Sequence, residues 1–308
     1  MKKFVLFGLI FAIIFADEVS NLETSCEKGD GKSCYELGIL HGQNKKVKNA
    51  SNENSILYHQ KACDKEIAEA CFELSDYYRV GVWIEKDEEK AKELFKKSMD
   101  LHNIGCDKNI GKDCEALASM YEISNGMADE DSDKAEELYK KAIDLYKIDC
   151  DKNNATACFG LGILHEQGRG IENDLKTALS FYEKSCEMKN EDACYSLYVI
   201  YETEMEFKDE KKAYDYAIKS CDFGNFIACD SLGFMYNNDN NKTESRKYYK
   251  KSCEFGFNDN CSKVCYDLGL EYDYDYKSEG YKTEAQKYCK KACELGDKGS
   301  CDSYENSK

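Results

Sequence analysis

The chain has 308 residues, a formal net charge of −17 and no proline, and 33% of its residues are charged. So acidic a chain repels the phosphate backbone of nucleic acids and anionic lipid headgroups, which excludes both as expected partners. The missing prolines and the abundance of Ala, Glu, Lys, Leu and Tyr favour helices joined by turns of Gly, Asn and Asp, with no need for strands.

The first sixteen residues have the layout of a secretory signal peptide. Lys2 and Lys3 form a short basic region, residues 4–15 are apolar or Gly, and Ala16 is a small residue before Asp17. The apolar run is too short for a membrane anchor, and no later stretch approaches the roughly 20 apolar residues that a membrane helix needs. We therefore expect residues 1–16 to be removed on export and residues 17–308 to form a soluble periplasmic or secreted chain.

Sixteen of the eighteen cysteines form eight pairs with seven residues between the two members. The pairs are Cys26 with Cys34, Cys63 with Cys71, Cys106 with Cys114, Cys150 with Cys158, Cys186 with Cys194, Cys221 with Cys229, Cys253 with Cys261 and Cys293 with Cys301. One continuous helix would hold residues eight apart at about 12 Å, whereas a disulfide needs Cα atoms within about 7 Å. The chain must therefore reverse within each pair. In an exported chain we predict disulfides that clip the end of one helix to the start of the next.

A helical hairpin recurs between successive pairs, and residues 158–186 are its cleanest copy. Its first helix contains Leu161-Gly162, and we expect the missing glycine side chain to let the aromatic pair Phe181-Tyr182 of the second helix approach the backbone. Two copies, ending at Cys106 and Cys150, have seven extra residues before the cysteine. Seven residues are two helical turns, which return the cysteine to nearly the same face.

The pattern predicts an all-α protein, an α/α solenoid (superhelix) of about seven helix-turn-helix repeats stapled by disulfides. We expect capping half-helices at residues 18–28 and 298–304. The expected repeats are residues 30–63, 67–106, 110–150, 154–186, 190–221, 225–253 and 257–293.

This unit resembles the Sel1-like repeat, a relative of the tetratricopeptide repeat, and its paired cysteines make the chain similar to the cysteine-rich Sel1-like proteins first named from Helicobacter. The resemblance covers nearly all of residues 17–308. Ala118 and Tyr198 depart from the pattern because they stand where Gly is usual. The residues that carry the resemblance are Leu37-Gly38, Leu161-Gly162, Leu232-Gly233, Leu268-Gly269, the Gly168-Arg169-Gly170 loop and the face Ala178, Phe181, Tyr182, Ser185, Cys186.

Cys265 and Cys289 remain outside the eight pairs. Cys265 occupies the usual start of a first helix, before Tyr-Asp-Leu-Gly, and Cys289 occupies the second aromatic position of the last second helix. We therefore predict a Cys265–Cys289 bridge across the last hairpin. The rival assignment pairs Cys253 with Cys265 and Cys261 with Cys289.

The resemblance to cysteine-rich proteins that carry a β-lactamase or penicillin-binding label implies the catalytic motifs of those enzymes. The S-x-x-K motif of serine β-lactamases occurs once, at Ser25-Cys26-Glu27-Lys28, and its companions S-D-N and K-T-G are missing from the sequence. An exposed helix end is the preferred interpretation. His41, His59, His102 and His165 lack metal-ligand spacing. We predict no catalytic residue, metal site or cofactor.

Three local signals have mainly structural interpretations. Acidic runs such as residues 129–133 precede second helices, where carboxylates favour the positive end of the helix dipole rather than bind calcium. Tyr272, Tyr274 and Tyr276 form either a contact patch or a decorated loop. Residues 239–243, with Asn241 followed by Lys and Thr, fit the extended acidic sequon of bacterial N-glycosylation, so Asn241 is a possible glycosylation site.

The predicted function is an exported repeat scaffold whose first helices bind a protein, a peptide or a cell-wall (peptidoglycan) fragment. Its acidic groove should prefer basic or neutral partners. The alternative, implied by the family label, is a β-lactamase or penicillin-binding hydrolase acting on β-lactams or cell-wall peptides. A structural spacer without a ligand is a third hypothesis.

Overall fold

The computed structural model describes residues 19–42, 51–124, 126–128, 130–255, 258–271, 279–294 and 297–307. Within these ranges every regular element is a helix, so the predicted all-α class is confirmed. The predicted signal peptide and the three tyrosines at 272–276 lie outside the described residues. None of the described helices is long and apolar enough to cross a membrane.

Each repeat consists of a helix A, which is even-numbered, and a helix B, which is odd-numbered, flanked by α1 and α16. The helices are α1 (residues 19–27), α2 (Gly31–Gly42), α3 (Asn52–Asp64), α4 (Ala68–Val80), α5 (Glu88–Asp107), α6 (Gly111–Glu122), α7 (Ser132–Asp151), α8 (Ala155–Gln167), α9 (Leu175–Glu187), α10 (Glu191–Thr203), α11 (Glu210–Phe223), α12 (Phe226–Asn238), α13 (Lys242–Glu254), α14 (Asn258–Glu271), α15 (Glu279–Glu294) and α16 (Lys298–Ser307).

The chain divides into two compact units, residues 1–138 and 139–308, and the boundary falls inside α7. In the first unit α2 packs on α3, and α4 packs on α5. In the second unit the packed pairs are α8 with α9, α10 with α11, α12 with α13, and α14 with α15. Each helix B of these pairs also contacts the next helix A, which gives the stacked hairpins of a solenoid.

Side-chain caps and left-handed residues set where the helices begin and end. Most caps are carboxylates or amides that accept the backbone N–H three residues further on, as in Asp174 at α9 and Asn190 at α10, and the Ser51 hydroxyl does the same at α3. In the six turns between paired cysteines where the structure describes it, the third residue after the first cysteine has a positive φ. It is Gly29, Glu66, Asn109, Asn153, Lys189 or Gly224.

In four hairpins a buried serine of helix B donates a hydrogen bond to a backbone carbonyl at the start of the helix A of the same hairpin. Ser185 donates to the carbonyl oxygen of Ala155 at 2.7 Å and comes directly before Cys186. Ser98 makes the equivalent bond to Ala68 at 2.8 Å, although its helix continues for two more turns. Helices α5 and α7 have 20 residues, whereas α3, α9 and α13 have 13, which confirms the predicted insertion of two turns.

In several hairpins a small residue in helix A packs against a ring in helix B. A β-carbon at Gly162 would overlap the Tyr182 ring, and one at Gly233 would overlap Tyr249, so the predicted role of these glycines is confirmed. The sizes are exchanged in α10 and α11, where Tyr198 replaces the glycine and the ring position holds Ala217. Both residues are buried in the same core cluster. The total side-chain volume of the core is therefore preserved, although the large side chain is on helix A instead of helix B.

Candidate functional site

The structure brings all nine predicted cysteine pairs to bonding distance, with Cα atoms 4.5–4.8 Å apart. All 18 cysteines are described, and none of them is free. The eight bridges with a sequence separation of eight are Cys26–Cys34, Cys63–Cys71, Cys106–Cys114, Cys150–Cys158, Cys186–Cys194, Cys221–Cys229, Cys253–Cys261 and Cys293–Cys301. Each of these joins a helix to the next helix across a turn, as the spacing predicted.

Those turn-spanning bridges lie deep in the stack. In all but the last of them the second cysteine stands in the first turns of a helix A, and six of these cysteines are completely buried: Cys71, Cys114, Cys158, Cys194, Cys229 and Cys261. In the last bridge, Cys301 lies on α16 and is only partly buried. The bridges therefore belong to the core of the solenoid rather than to its surface.

The ninth bridge, Cys265–Cys289, joins α14 to α15 within one hairpin. It stands at the position where other hairpins place a helix-B ring against a helix-A glycine. The structure therefore has the preferred pairing of these two cysteines and not the rival one, in which Cys253 would pair with Cys265 and Cys261 with Cys289.

The four histidines are buried side chains of the hairpins rather than a metal site. His41 stacks on Tyr58 with ring centroids 5.1 Å apart, and His165 stacks on Phe181 at 5.5 Å. His102 Nδ1 lies 2.8 Å from an Asp113 carboxylate oxygen. Among the described residues no group of three or more metal-ligating side chains occurs.

His59 takes the ring position against Gly38, and burial lowers its pKa to about 4. Its Nδ1 lies 3.4 Å from the Ser55 hydroxyl, which itself donates to the Gly38 carbonyl at 2.8 Å. Because the Ser55 hydroxyl proton is already donated to Gly38, His59 Nδ1 must be the donor in its contact with Ser55. Nε2 is buried without a partner, so the neutral imidazole is the form that this site fits.

The S-x-x-K motif lies at the end of α1. Ser25 accepts the Asp30 N–H through its backbone carbonyl, and Lys28 donates its backbone N–H to Thr24. Cys26 between them is bonded to Cys34. The motif therefore forms a helix terminus and the turn that follows it, as its preferred interpretation expected.

Charge is segregated between the two kinds of helix from α8 to α13. Helices α9, α11 and α13 have two, three and five lysines or arginines, whereas α8, α10 and α12 have none. Ion pairs connect consecutive helices B: Lys184–Asp151 at 3.5 Å, Lys251–Asp222 at 2.5 Å, Lys250–Glu284 at 2.6 Å and Lys287–Glu254 at 3.7 Å. Exposed pairs of this kind add about 0–1 kcal/mol each. Their main effect is to neutralise the charges of the helices B, which we call the helix-B layer.

Helices α8, α10 and α12 instead present apolar side chains to solvent. We call this face the helix-A surface and define it by Phe159, Ile163, Tyr195, Val199 and Phe234. The first four are partly buried against the core, and Phe234 is 58% exposed. These side chains stand one or five residues after the cysteine of their helix. An apolar face that is exposed to solvent is typical of an interaction surface.

Carboxylates accompany the apolar side chains of the helix-A surface. The acidic residues of the three helices are Glu166, Glu191, Asp192, Glu202 and Asp230. Several of them bond neutral groups: Glu166 accepts the Tyr182 hydroxyl, and Asp192 accepts the Asn225 amide at 3.2 Å. A neutral donor leaves the negative charge in place, so the helix-A surface is both apolar and acidic.

Sequence reasoning predicted an acidic binding face but missed two features of the hairpins. The first is the separation of basic residues into helices B, which becomes visible once each segment is assigned to a helix A or a helix B. The second is a stacked pair of rings in each of four hairpins, formed by the seventh residue after one cysteine and the fifth before the next. The pairs are His41 with Tyr58, His165 with Phe181, Tyr201 with Tyr216 and Tyr236 with Tyr248.

The repeats match a known family model over more than half of the chain. The Sel1 repeat model matches residues 31–66, 68–103, 113–146, 155–190, 200–225, 228–256 and 262–297. The chain belongs to the Sel1 repeat family. The seven Sel1 repeats confirm the resemblance inferred from the Leu-Gly and paired-cysteine pattern. No curated protein matches this Sel1 repeat chain.

Solved structures similar to this Sel1 repeat protein have low sequence identity to it. The Sel1 repeat protein from Oxalobacter formigenes is 16% identical, with a TM-score of 0.47, over 97% of this chain and 93% of that one. The c5321 protective antigen present in uropathogenic Escherichia coli strains is 17% identical, with a TM-score of 0.33, over 94% and 74%. Immunity protein Pa5087 from Pseudomonas aeruginosa is 19% identical, with a TM-score of 0.40, over 65% and 73%. The family assignment rests on the repeat match.

Proposed function

We propose that this protein is an exported scaffold that binds a protein or peptide segment on its helix-A surface. The observation that carries the proposal is the segregation of charge between the two kinds of helix from α8 to α13. Basic side chains lie on helices B, several of them in ion pairs, while α8, α10 and α12 expose apolar side chains and carry no lysine or arginine. Membership of the Sel1 repeat family supports a protein partner.

Nine disulfides indicate an oxidising environment outside the cytoplasm. We propose that residues 1–16 direct the chain there, and that the mature protein works in the periplasm or after secretion. Fractionation of producing cells into cytoplasm, periplasm and medium, followed by mass spectrometry of the N-terminus, tests both statements. A full-length chain that still begins at Met1 and stays in the cytoplasm would contradict them.

Hydrolysis of β-lactams forms no part of this proposal. The lone S-x-x-K motif is a helix end closed by a disulfide, and the four histidines are used in packing or in a contact with Asp113. Peptidoglycan fragments stay in the test as competitors of the peptide partner, because no feature of the helix-A surface singles them out.

Site-specific photo-crosslinking tests the binding surface. A photoreactive residue placed at Phe234 should crosslink one partner in cells, and a soluble protein without the photoreactive group should compete for it. The matched control carries the same residue at Lys219, on the helix-B layer. Crosslinking that is equal at both positions, or that survives competition, would argue against the helix-A surface as the binding site.

A further inference from the structure

One of the nine disulfides differs from the others in its exposure to solvent. Sixteen of the eighteen cysteines are at most 5% exposed. Cys293 and Cys301, which form the last turn-spanning bridge, are both partly exposed. A thiol in solution can therefore approach this bridge while the chain stays folded.

The helices around the bridge explain its exposure. Cys34 lies on α2, against which α3 packs, and Cys261 lies on α14, against which α15 packs. Cys301 lies on α16, and of the described helices only α15 and α14 pack closely on α16. Among the described elements, no helix B covers the second cysteine of this bridge.

Helix α16 is short and mostly polar. It has ten residues, and an isolated helix of fewer than about 12–15 residues is marginal in water. Its one aromatic side chain, Tyr304, packs against the buried cluster that contains Tyr288 and Ala292. Because Tyr304 and the disulfide are its main anchors on this cluster, we expect the position of α16 to depend strongly on the Cys293–Cys301 bridge.

The other turn-spanning bridges provide an internal comparison. They share the separation of eight residues, and their second cysteine also lies in the first turns of a helix. The local chemistry of the sulfurs is therefore alike, and access to solvent is what distinguishes Cys293–Cys301. Reaction of a disulfide with a thiol depends on such access.

We propose that the Cys293–Cys301 bridge is a thiol-exchange site at which an external thiol modifies the folded protein. A thiolate attacks one sulfur of the bridge and forms a mixed disulfide with it, while the other cysteine leaves as a thiolate and takes up a proton from water. A second thiolate attacks the mixed disulfide and departs as the oxidised reagent, and both cysteines are then reduced. The exchange frees α16 from α15. This inference goes beyond the proposed binding function and does not depend on it.

Limited reduction of the oxidised full-length protein tests the site. The probes are reduced glutathione, which is a small monothiol, and a thioredoxin-type protein, which supplies two thiols. N-ethylmaleimide stops the reaction, and peptide mass mapping then identifies the modified cysteines. The double variant Cys293→Ser with Cys301→Ser lacks the site and is the control for modification elsewhere. Hydrogen exchange before and after reduction reports on the amides of α16.

We expect Cys293 and Cys301 to be modified about tenfold faster or more than Cys253 and Cys261, because only the buried pair needs a local opening before a thiol can reach it. The double variant should show no fast modification. Exchange with glutathione would support a small thiol as the reagent, and exchange with the dithiol protein alone would support a protein thiol. In the reduced protein the amides of α16 should lose protection, while those of α12 and α13 keep theirs.

Equal rates of modification for all the bridges would overturn the proposal, because they would show that thiols react only after the chain unfolds. Fast modification in the double variant would overturn it as well, since another bridge would then be the accessible one. Unchanged protection of α16 after reduction would overturn the release of that helix.

Discussion

His59 lies against Gly38 so closely that a β-carbon on the glycine would overlap the imidazole ring. Other hairpins place tyrosine in this position, as Tyr182 does against Gly162. Tyrosine does not change its charge near neutral pH, whereas histidine can gain a proton and become positively charged there. The first hairpin, α2 and α3, is therefore the one whose ring position responds to acid.

We predict that acid weakens the first hairpin through His59. Its pKa is about 4 when folded and ordinarily 6.5, so between these values the unfolded chain binds more protons, and stability falls as pH decreases from 6.5 to 4. The loss from this group is roughly 3 kcal/mol. Hydrogen exchange of α2 and α3 amides across this range measures it. In His59→Phe the same amides should lose clearly less protection; an unchanged pH dependence would contradict the assignment.

Substitution of Gly162 by alanine should destabilise the protein. In an ordinary helix interior this change stabilises by about 0.5–1 kcal/mol. Here the new β-carbon overlaps the Tyr182 ring, and we expect a loss of about 1–3 kcal/mol in urea unfolding. Ser180→Ala, at an exposed site of α9, is the control. The double variant Gly162→Ala with Tyr182→Leu should recover part of the loss, and no recovery would show that the ring is not the cause.

The two classes of disulfide should differ in their effect on stability. On loop-closure entropy, removing an eight-residue bridge such as Cys186–Cys194 costs about 2.5 kcal/mol, and removing the 24-residue bridge Cys265–Cys289 costs about 3.4 kcal/mol. Paired Cys→Ser variants compared by urea unfolding test the order. Non-reducing peptide mapping of the unmodified protein checks the pairing first, and a Cys253–Cys265 linkage would remove the basis of the comparison.

We propose that Asn241 carries a glycan when the producing cell has the required enzyme. Asn241 is exposed and caps α13 by accepting the Glu244 N–H at 3.3 Å, which leaves its amide nitrogen free of that bond. Intact mass should show an increment that Asn241→Asp abolishes, while the aspartate keeps the cap. Asn154-Ala155-Thr156 is an internal comparison, because Asn154 caps α8 in the same way without an acidic residue two positions earlier. A mass without any increment in a glycosylating host would contradict the proposal.

Cysteine spacing carried most of the fold prediction, because a disulfide limits distance directly. It placed the reversals of the chain and, with the two-turn insertions, explained the long helices α5 and α7. It could not anticipate Tyr198 and Ala217, since exchanging sizes between two helices preserves the packed volume but breaks the repeat pattern. Lys189 at a positive φ in a turn was equally hidden, because lysine has no preference for that backbone conformation.

The proposed binding surface was predicted only as an acidic groove. Its apolar members, such as Val199 and Phe234, are indistinguishable in sequence from core residues of an amphipathic helix, and only the packing of neighbouring hairpins separates the two groups.

Each of the eight turn-spanning bridges joins a cysteine to a partner only eight residues further along the chain. The ninth also links two cysteines with no other cysteine between them. An oxidase that linked thiols in the order in which they emerge from a translocation channel would therefore produce the native set directly, with no reshuffling by an isomerase. Only the Cys265–Cys289 bridge would form after a longer delay, because 24 residues separate its cysteines. Until Cys289 emerges, Cys265 would remain a free thiol close to the completed Cys253–Cys261 bridge.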